Sequence, residues 1–157
     1  MRVLLILLMF VSAAYSAELP QKNIPIEIRS VSARFNQDNN EATFIKNVIF
    51  KRGGLTVKSN KLVIYRNKSG AVVRAVATGS VHIRNIDKKK QFTASSESAV
   101  YSKKDQTLIL TGGPVKFSDG TNKGEGEKLI YHIDTKNSEL FSDKRPITLI
   151  VIPKKEK

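Results

Sequence analysis

Few residues in this sequence are placed to do covalent chemistry. There are two histidines and no cysteine. His82 stands between Val81 and Ile83, and His132 follows Tyr131, so each reads as a strand residue turned to solvent. No His-x-x-x-His spacing offers a zinc site. Without cysteine there is no thiol nucleophile, no thiolate metal site and no disulfide framework. The hydroxyl-rich stretch Thr93-Ala94-Ser95-Ser96-Glu97-Ser98 contains no Gly-x-Ser-x-Gly elbow. Glu125 and Glu127 fall on one strand face, where Lys123 and Lys128 offset their charge. No glycine-rich loop opens a helix that could cradle phosphate. The inventory points away from an enzyme and implies no cofactor and no metal.

Charge says more. The chain of 157 residues carries a formal net charge of +13, which implies anionic partners. The cations Lys46, Lys51, Arg52, Lys58, Lys61, Arg66, Lys68, Arg74 and Arg84 alternate with apolar neighbours. Lys88-Lys89-Lys90 lies between two strand signals and reads as a solvated turn.

The elements that carry these residues are strands. Ile24-Pro25-Ile26-Glu27-Ile28-Arg29 alternates apolar and polar with the period of a half-buried strand, and Pro25 assigns it to an edge. Val31 to Phe35 continues the alternation. Ala42 to Lys51 and Leu55 to Tyr65 flank Gly53-Gly54, a hairpin turn. Val72 to Arg84, with Gly79 as a bulge or close-approach point, is answered by Gln91 to Tyr101. Thr107 to Leu110, a kink at Gly112-Gly113-Pro114, Val115 to Phe117, Gly124 to Ile133, Glu139 to Phe141 and Pro146 to Pro153 complete the series. No window repeats apolar residues at helical spacing. Three segments close on a tyrosine, at Tyr65, Tyr101 and Tyr131, with steps of 36 and 30 residues. Such a recurrence marks stacked strand pairs, none able to bury its apolar face alone.

The ends are distinct. Met1-Arg2, the apolar run Val3 to Val11 and the small residues up to Ala17 have the form of a secretory signal peptide, residues 1–17. The run is short for a membrane span. Residues 18–153 form the body, and 154–157 a basic tail. Loss of Arg2 with the leader would leave +12. Export makes nucleic acid a poor partner. Alternate residues share a strand face, which groups Ile26 with Ile28, Val48 with Phe50, Val63 with Tyr65, Val81 with Ile83, Val115 with Phe117 and Leu129 with Tyr131. Pattern alone allows these faces to close as a sandwich core or to wall an apolar groove.

Taken in order, the opening strand Ile24 to Ser30, the segment Thr43 to Phe50, the strand Leu55 to Tyr65, its counterpart Gly124 to Tyr131, and Phe141-Ser142-Asp143-Lys144 resemble the lipopolysaccharide-transport periplasmic protein A family, also called OstA-like. Asn47 stands where that family usually has Gly, and Asn60 where it usually has Asp. The resemblance covers nearly all of the chain after the leader. It implies an all-β fold, an open twisted β-jellyroll built of repeated antiparallel hairpins. It implies a periplasmic carrier of lipopolysaccharide that bridges the inner and outer membranes. Implied partners are lipopolysaccharide through its lipid A, an inner-membrane export complex, an outer-membrane translocon, and further copies joined end to end through the terminal strands. The implied lipid track is Ile26, Ile28, Phe35, Val48, Phe50, Val63, Tyr65, Val81, Ile83, Tyr101, Val115, Phe117 and Tyr131. Of these, Ile26, Ile28, Ile83 and Tyr101 match groove-facing positions of the family. Two alternatives stay open: the membrane-anchored protein C of the same export system, and a basic all-β module for anionic glycan or nucleic acid.

Overall fold

The computed structural model describes residues 24–87 and 90–153. The expected leader and basic tail lie outside the described residues. Within them the elements are β1 (Ile26–Arg29), β2 (Ser32–Asn36), β3 (Glu41–Arg52), β4 (Leu55–Arg66), β5 (Val72–Asp87), β6 (Lys90–Ser102), β7 (Thr107–Ser118), β8 (Asn122–His132), β9 (Ser138–Phe141) and β10 (Thr148–Val151). All pair antiparallel in one sheet, in the order β1-β3-β4-β5-β6-β7-β8-β10. The edges are divided. β3 takes β1 opposite Ile49–Arg52 and β2 opposite Glu41–Ile45. β8 takes β10 opposite 122–125 and β9 opposite 128–131.

The long strands are interrupted at one level. Register shifts fall between Ile45 and Val48, Lys58 and Lys61, Thr78 and Val81, Ser95 and Ser98, and Thr111 and Val115. Left-handed backbone marks this level on alternate strands, at Lys46 (φ 65°) and Asn47 (51°), Gly79 (80°) and Ser80 (49°), and Gly112 (81°). An extra residue of this kind bends its strand and raises the local twist. Glycine is required twice for space as well. A Cβ at Gly79 would sit 2.8 Å from the Asn60 side chain, and one at Gly112 2.7 Å from Glu97 Cβ. Gly79 is thus the bulge that its setting in the sequence suggests.

Bending every long strand at the same level folds the sheet over itself. The half holding β2 and β9 comes to face the half holding β1 and β10. Phe92, early in β6, stacks on Tyr131, late in β8, at 5.1 Å between ring centroids. In a flat sheet they would be roughly 30 Å apart, since Tyr131 lies level with Tyr101, nine residues along β6 from Phe92. The interior between the halves is apolar. One transverse row runs Phe44, Leu62, Ala77, Ala99, Leu110, Leu129, Leu140. The facing half contributes Ile28, Phe50, Val57, Ile83, Ala94 and Phe117.

Two polar residues enter this interior for a local reason. Ser59 and Ser96 are buried beside the register shifts. Each hydroxyl donates to a carbonyl two residues on, Ser59 to Lys61 at 3.0 Å and Ser96 to Ser98 at 2.9 Å. Each buried hydroxyl is thereby satisfied without a partner from another strand.

Leu110 and Leu129 are fully buried at the centre of the first row. Leu110→Ala is expected to lower unfolding free energy by about 2–5 kcal/mol, read as a shift in the urea midpoint. Gly79→Ala, forced to hold a left-handed φ, should cost at least about 1–2 kcal/mol in the same assay, because its Cβ also crowds Asn60.

Candidate functional site

The apolar interior has a packed centre and open margins. Val48, Val81, Leu110, Val115 and Leu129 are 0–1 % exposed. Ile28, Phe50, Leu55, Val57, Phe92, Leu108, Phe117 and Leu140 are partly buried and pack around that centre. Side chains of the same face then emerge at both sheet edges. Ile26, level with Arg52, is 45 % exposed, and Phe35, level with Ala42, is 65 % exposed. At the opposite edge Leu149, level with Gly124, is 58 % exposed, and Val151 emerges on the same face. Phe35 still touches the core edge-on through Phe44, at 6.0 Å.

The sequence candidates therefore separate into groups. Val48, Val81, Ile83 and Val115 are core. Ile28, Phe50 and Phe117 are its half-buried margin, and Ile26 and Phe35 are the uncovered edge. Tyr101 and Tyr131 are level with Leu108 and share its inward direction. Burial raises the Tyr131 phenol above its ordinary pKa. Of the two arrangements that pattern alone allows, side chains close the middle as a core, and apolar surface stays open only around it.

Val63 and Tyr65 are a correction to the expected track. Register pairs Ile64 with Ala42 and Ala75, which turns Leu62 and Ile64 inward and sends Val63 and Tyr65 to the opposite face. Tyr65 there lies under the Arg74 guanidinium, 5.7 Å from the ring centroid. Four consecutive apolar residues, Leu62 to Tyr65, hide the face from a period-two reading. The repeat itself holds the answer. Lys61-Leu62-Val63-Ile64 corresponds to Ser98-Ala99-Val100-Tyr101 and Lys128-Leu129-Ile130-Tyr131, so Ile64, and not Tyr65, occupies the tyrosine position. Leu149 and Val151 also belong to the inward face, which the sequence of their strand does not reveal. Their direction depends on pairing with β8, which no local pattern encodes.

The polar candidates are engaged otherwise. Glu125 pairs with Lys116 at 3.6 Å. His132 Nε2 meets Glu139 Oε1 at 2.8 Å on the surface. Among the described residues no group of three His, Cys, Asp or Glu could hold a metal ion. Glu127 Oε2 accepts hydrogen bonds from the amides of Asp143 (2.9 Å) and Lys144 (3.4 Å), with Arg145 Nε at 3.8 Å from Oε1. The Asp143 amide does most to hold this carboxyl below its usual range; desolvation opposes it, and the Lys144 amide with the charges of Arg145 and Lys144 adds to the lowering.

A folded-over sheet with an apolar inner face open at both edges can be compared with known proteins. Residues 27–137 match the family model described as "LptA/(LptD N-terminal domain) LPS transport protein". The chain belongs to this family. Among its LptA relatives is the lipopolysaccharide export system protein LptA of Haemophilus influenzae, 28 % identical over 83 % of this chain and 78 % of the relative. LptA of Escherichia coli K12 is 23 % identical over 82 % of this chain and 71 % of its own length. The crystal structure of LptH from Pseudomonas aeruginosa, described as the LptA-homologous periplasmic component of a lipopolysaccharide transport device, superposes with a TM-score of 0.73. It covers 83 % of this chain and 96 % of LptH at 17 % identity, a likeness of fold. The all-β, LptA-like jellyroll expected from the sequence is the fold observed.

In this LptA-like chain Glu127 tethers the segment between β9 and β10. Because its pKa is lowered by folding, the tether is at full strength above the unfolded-state pKa and is lost as pH falls through the folded value. Hydrogen exchange at the β10 amides, 148–151, should quicken severalfold in Glu127→Gln at neutral pH, and in the wild type only on acidification. Equal protection in both proteins at neutral pH would remove the tether.

Proposed function

We propose that this chain is a periplasmic lipopolysaccharide carrier that passes lipid along the margin of its apolar interior, between an inner-membrane export complex and an outer-membrane translocon. Membership of the LPS transport family and the names of its relatives support the role. The observation that carries the mechanism is the inner face itself, which is apolar along the row from Ile28 through Phe50, Val57, Ile83, Ala94 and Phe117 to Leu149, with the polar side chains Arg52, Asn85 and Asn122 in the outermost row beside it. Each acyl methylene removed from water contributes about 0.8 kcal/mol. A uniform apolar surface therefore holds the chains strongly while changing the energy little from one step to the next. The packed centre restricts contact to the half-buried ring, Ile28, Phe50, Tyr101, Phe117 and Tyr131, unless the two halves part.

Assembly follows from the edges. β1 and β10 each end the sheet with four residues paired on one side only. Unpaired strand edges accept another strand, and joining β10 of one copy to β1 of the next would bring Leu149 and Val151 into line with Ile26 and Ile28. The apolar margin would then continue from copy to copy, with the terminal strands supplying the end-to-end contact.

Photo-crosslinking residues placed singly at Ile28, Phe50, Phe117 and Tyr65 test this reading against labelled lipopolysaccharide. Adducts are expected from the first three and not from Tyr65, on the other face of the same sheet. Adducts of equal yield from Tyr65 would sink the interior path.

A further inference from the structure

The face turned away from the core is not featureless. On the half that carries β1 and β10 it is hollowed into a trough of about 700 Å³. Two transverse rows line it. Lys58, level with His82, belongs to the row that reaches Lys116 and Glu125. Arg84, level with Thr93, belongs to the row that reaches Ser118 and Lys123. β10 walls the far side with Thr148 and Ile150. Four permanent cations thus line the trough against one carboxylate, and that carboxylate lies 3.6 Å from Lys116 Nζ. Among the described residues, Lys58, Arg84 and Lys123 have no carboxylate within 4.0 Å.

The arrangement limits the ligand. β4 to β7, and β5 to β8, each span three strand spacings, about 14 Å. Lys58 and Lys116 in one row, and Arg84 and Lys123 in the next, therefore spread positive charge across the trough without converging on one point. Thr93, Ser95 and Ser118 place hydroxyls between the cations. No phenyl or phenol ring faces the trough from this lining, since Phe117 turns inward over Gly124. The small imidazole of His82 is the one aromatic ring along it, so successive nucleobases, whose stacking is a main source of single-strand binding energy, find no series of platforms here. A concave, hydroxyl-lined channel also suits an extended chain better than a flat bilayer surface.

We propose that this trough binds a phosphorylated oligosaccharide, with its spaced cations taking phosphates and its Thr and Ser hydroxyls meeting sugar hydroxyls. The site is separated from the apolar interior by the thickness of one sheet. The site itself rests on the trough alone, whereas the choice of sugar rests on the carrier reading; loss of the interior crosslinks would overturn that reading and leave the trough's phosphate preference to be measured separately.

The probe is a bisphosphorylated glucosamine disaccharide lacking acyl chains, titrated calorimetrically into the exported protein. The unphosphorylated disaccharide and inorganic phosphate serve as separate arms. The bisphosphorylated sugar is expected to bind at least about tenfold more tightly than either control. Arg84→Gln with Lys123→Gln should weaken it at least about tenfold, whereas Lys103→Gln with Lys104→Gln, on the β6–β7 turn, should leave it unchanged. All four positions are exposed, and thermal melts verify that each double variant is folded; Lys58→Gln with Lys116→Gln replaces the first pair if it is not. Equal binding of the unphosphorylated sugar, equal binding of inorganic phosphate, or no effect of the trough substitutions would each overturn the proposal. Retention on phosphatidylglycerol vesicles without binding of the disaccharide would do so as well, by making the patch a membrane contact.

Discussion

One constraint organises the molecule: every long strand must bend at the same level. Left-handed residues at Lys46-Asn47, Gly79-Ser80 and Gly112 supply the bends on alternate strands, and the neighbours Asn60 and Glu97 fill the space that side chains at Gly79 and Gly112 would need. If the bends fell at different levels, the sheet would shear and its inner rows would not face one another. Because they coincide, Phe92 reaches Tyr131 and the two halves share one apolar interior.

Much of this is written locally. The strands, the Gly53-Gly54 turn, the bulge at Gly79 and the kink at Gly112 follow from alternation and glycine placement. What alternation cannot specify is the face of a strand that is apolar on both sides. Leu62 to Tyr65 is such a run, and its direction is settled only by pairing with Ala42 and Ala75. The same limit applies to Leu149, an exposed edge residue whose face is settled only by its position opposite Gly124. Residues with one polar neighbour on each side, such as Val81 and Ile83, were legible because the flanking His82 and Arg84 had to face water.

The candidate site was legible in its chemistry and less so in its shape. Apolar residues on successive strands do converge, yet aliphatic side chains of medium size fill the middle and leave contact surface only around it. Filling is a matter of volumes summed across strands far apart in sequence, which no motif records. The basic trough is a companion case. Its cations appeared in the sequence as scattered charges, and only the register between β4 and β8 gathers Lys58, Arg84, Lys116 and Lys123 on one concavity.

The buried serines carry a mechanical implication. Ser59 and Ser96 each close their hydroxyl onto their own strand, so neither ties one leaf of the folded sheet to the other. What these leaves share along the two long inner rows is greasy contact, which has no preferred direction and scales with area. Parting the leaves at their margin would therefore cost in proportion to the apolar area exposed, with no directional bond between them to break at Ser59 or Ser96.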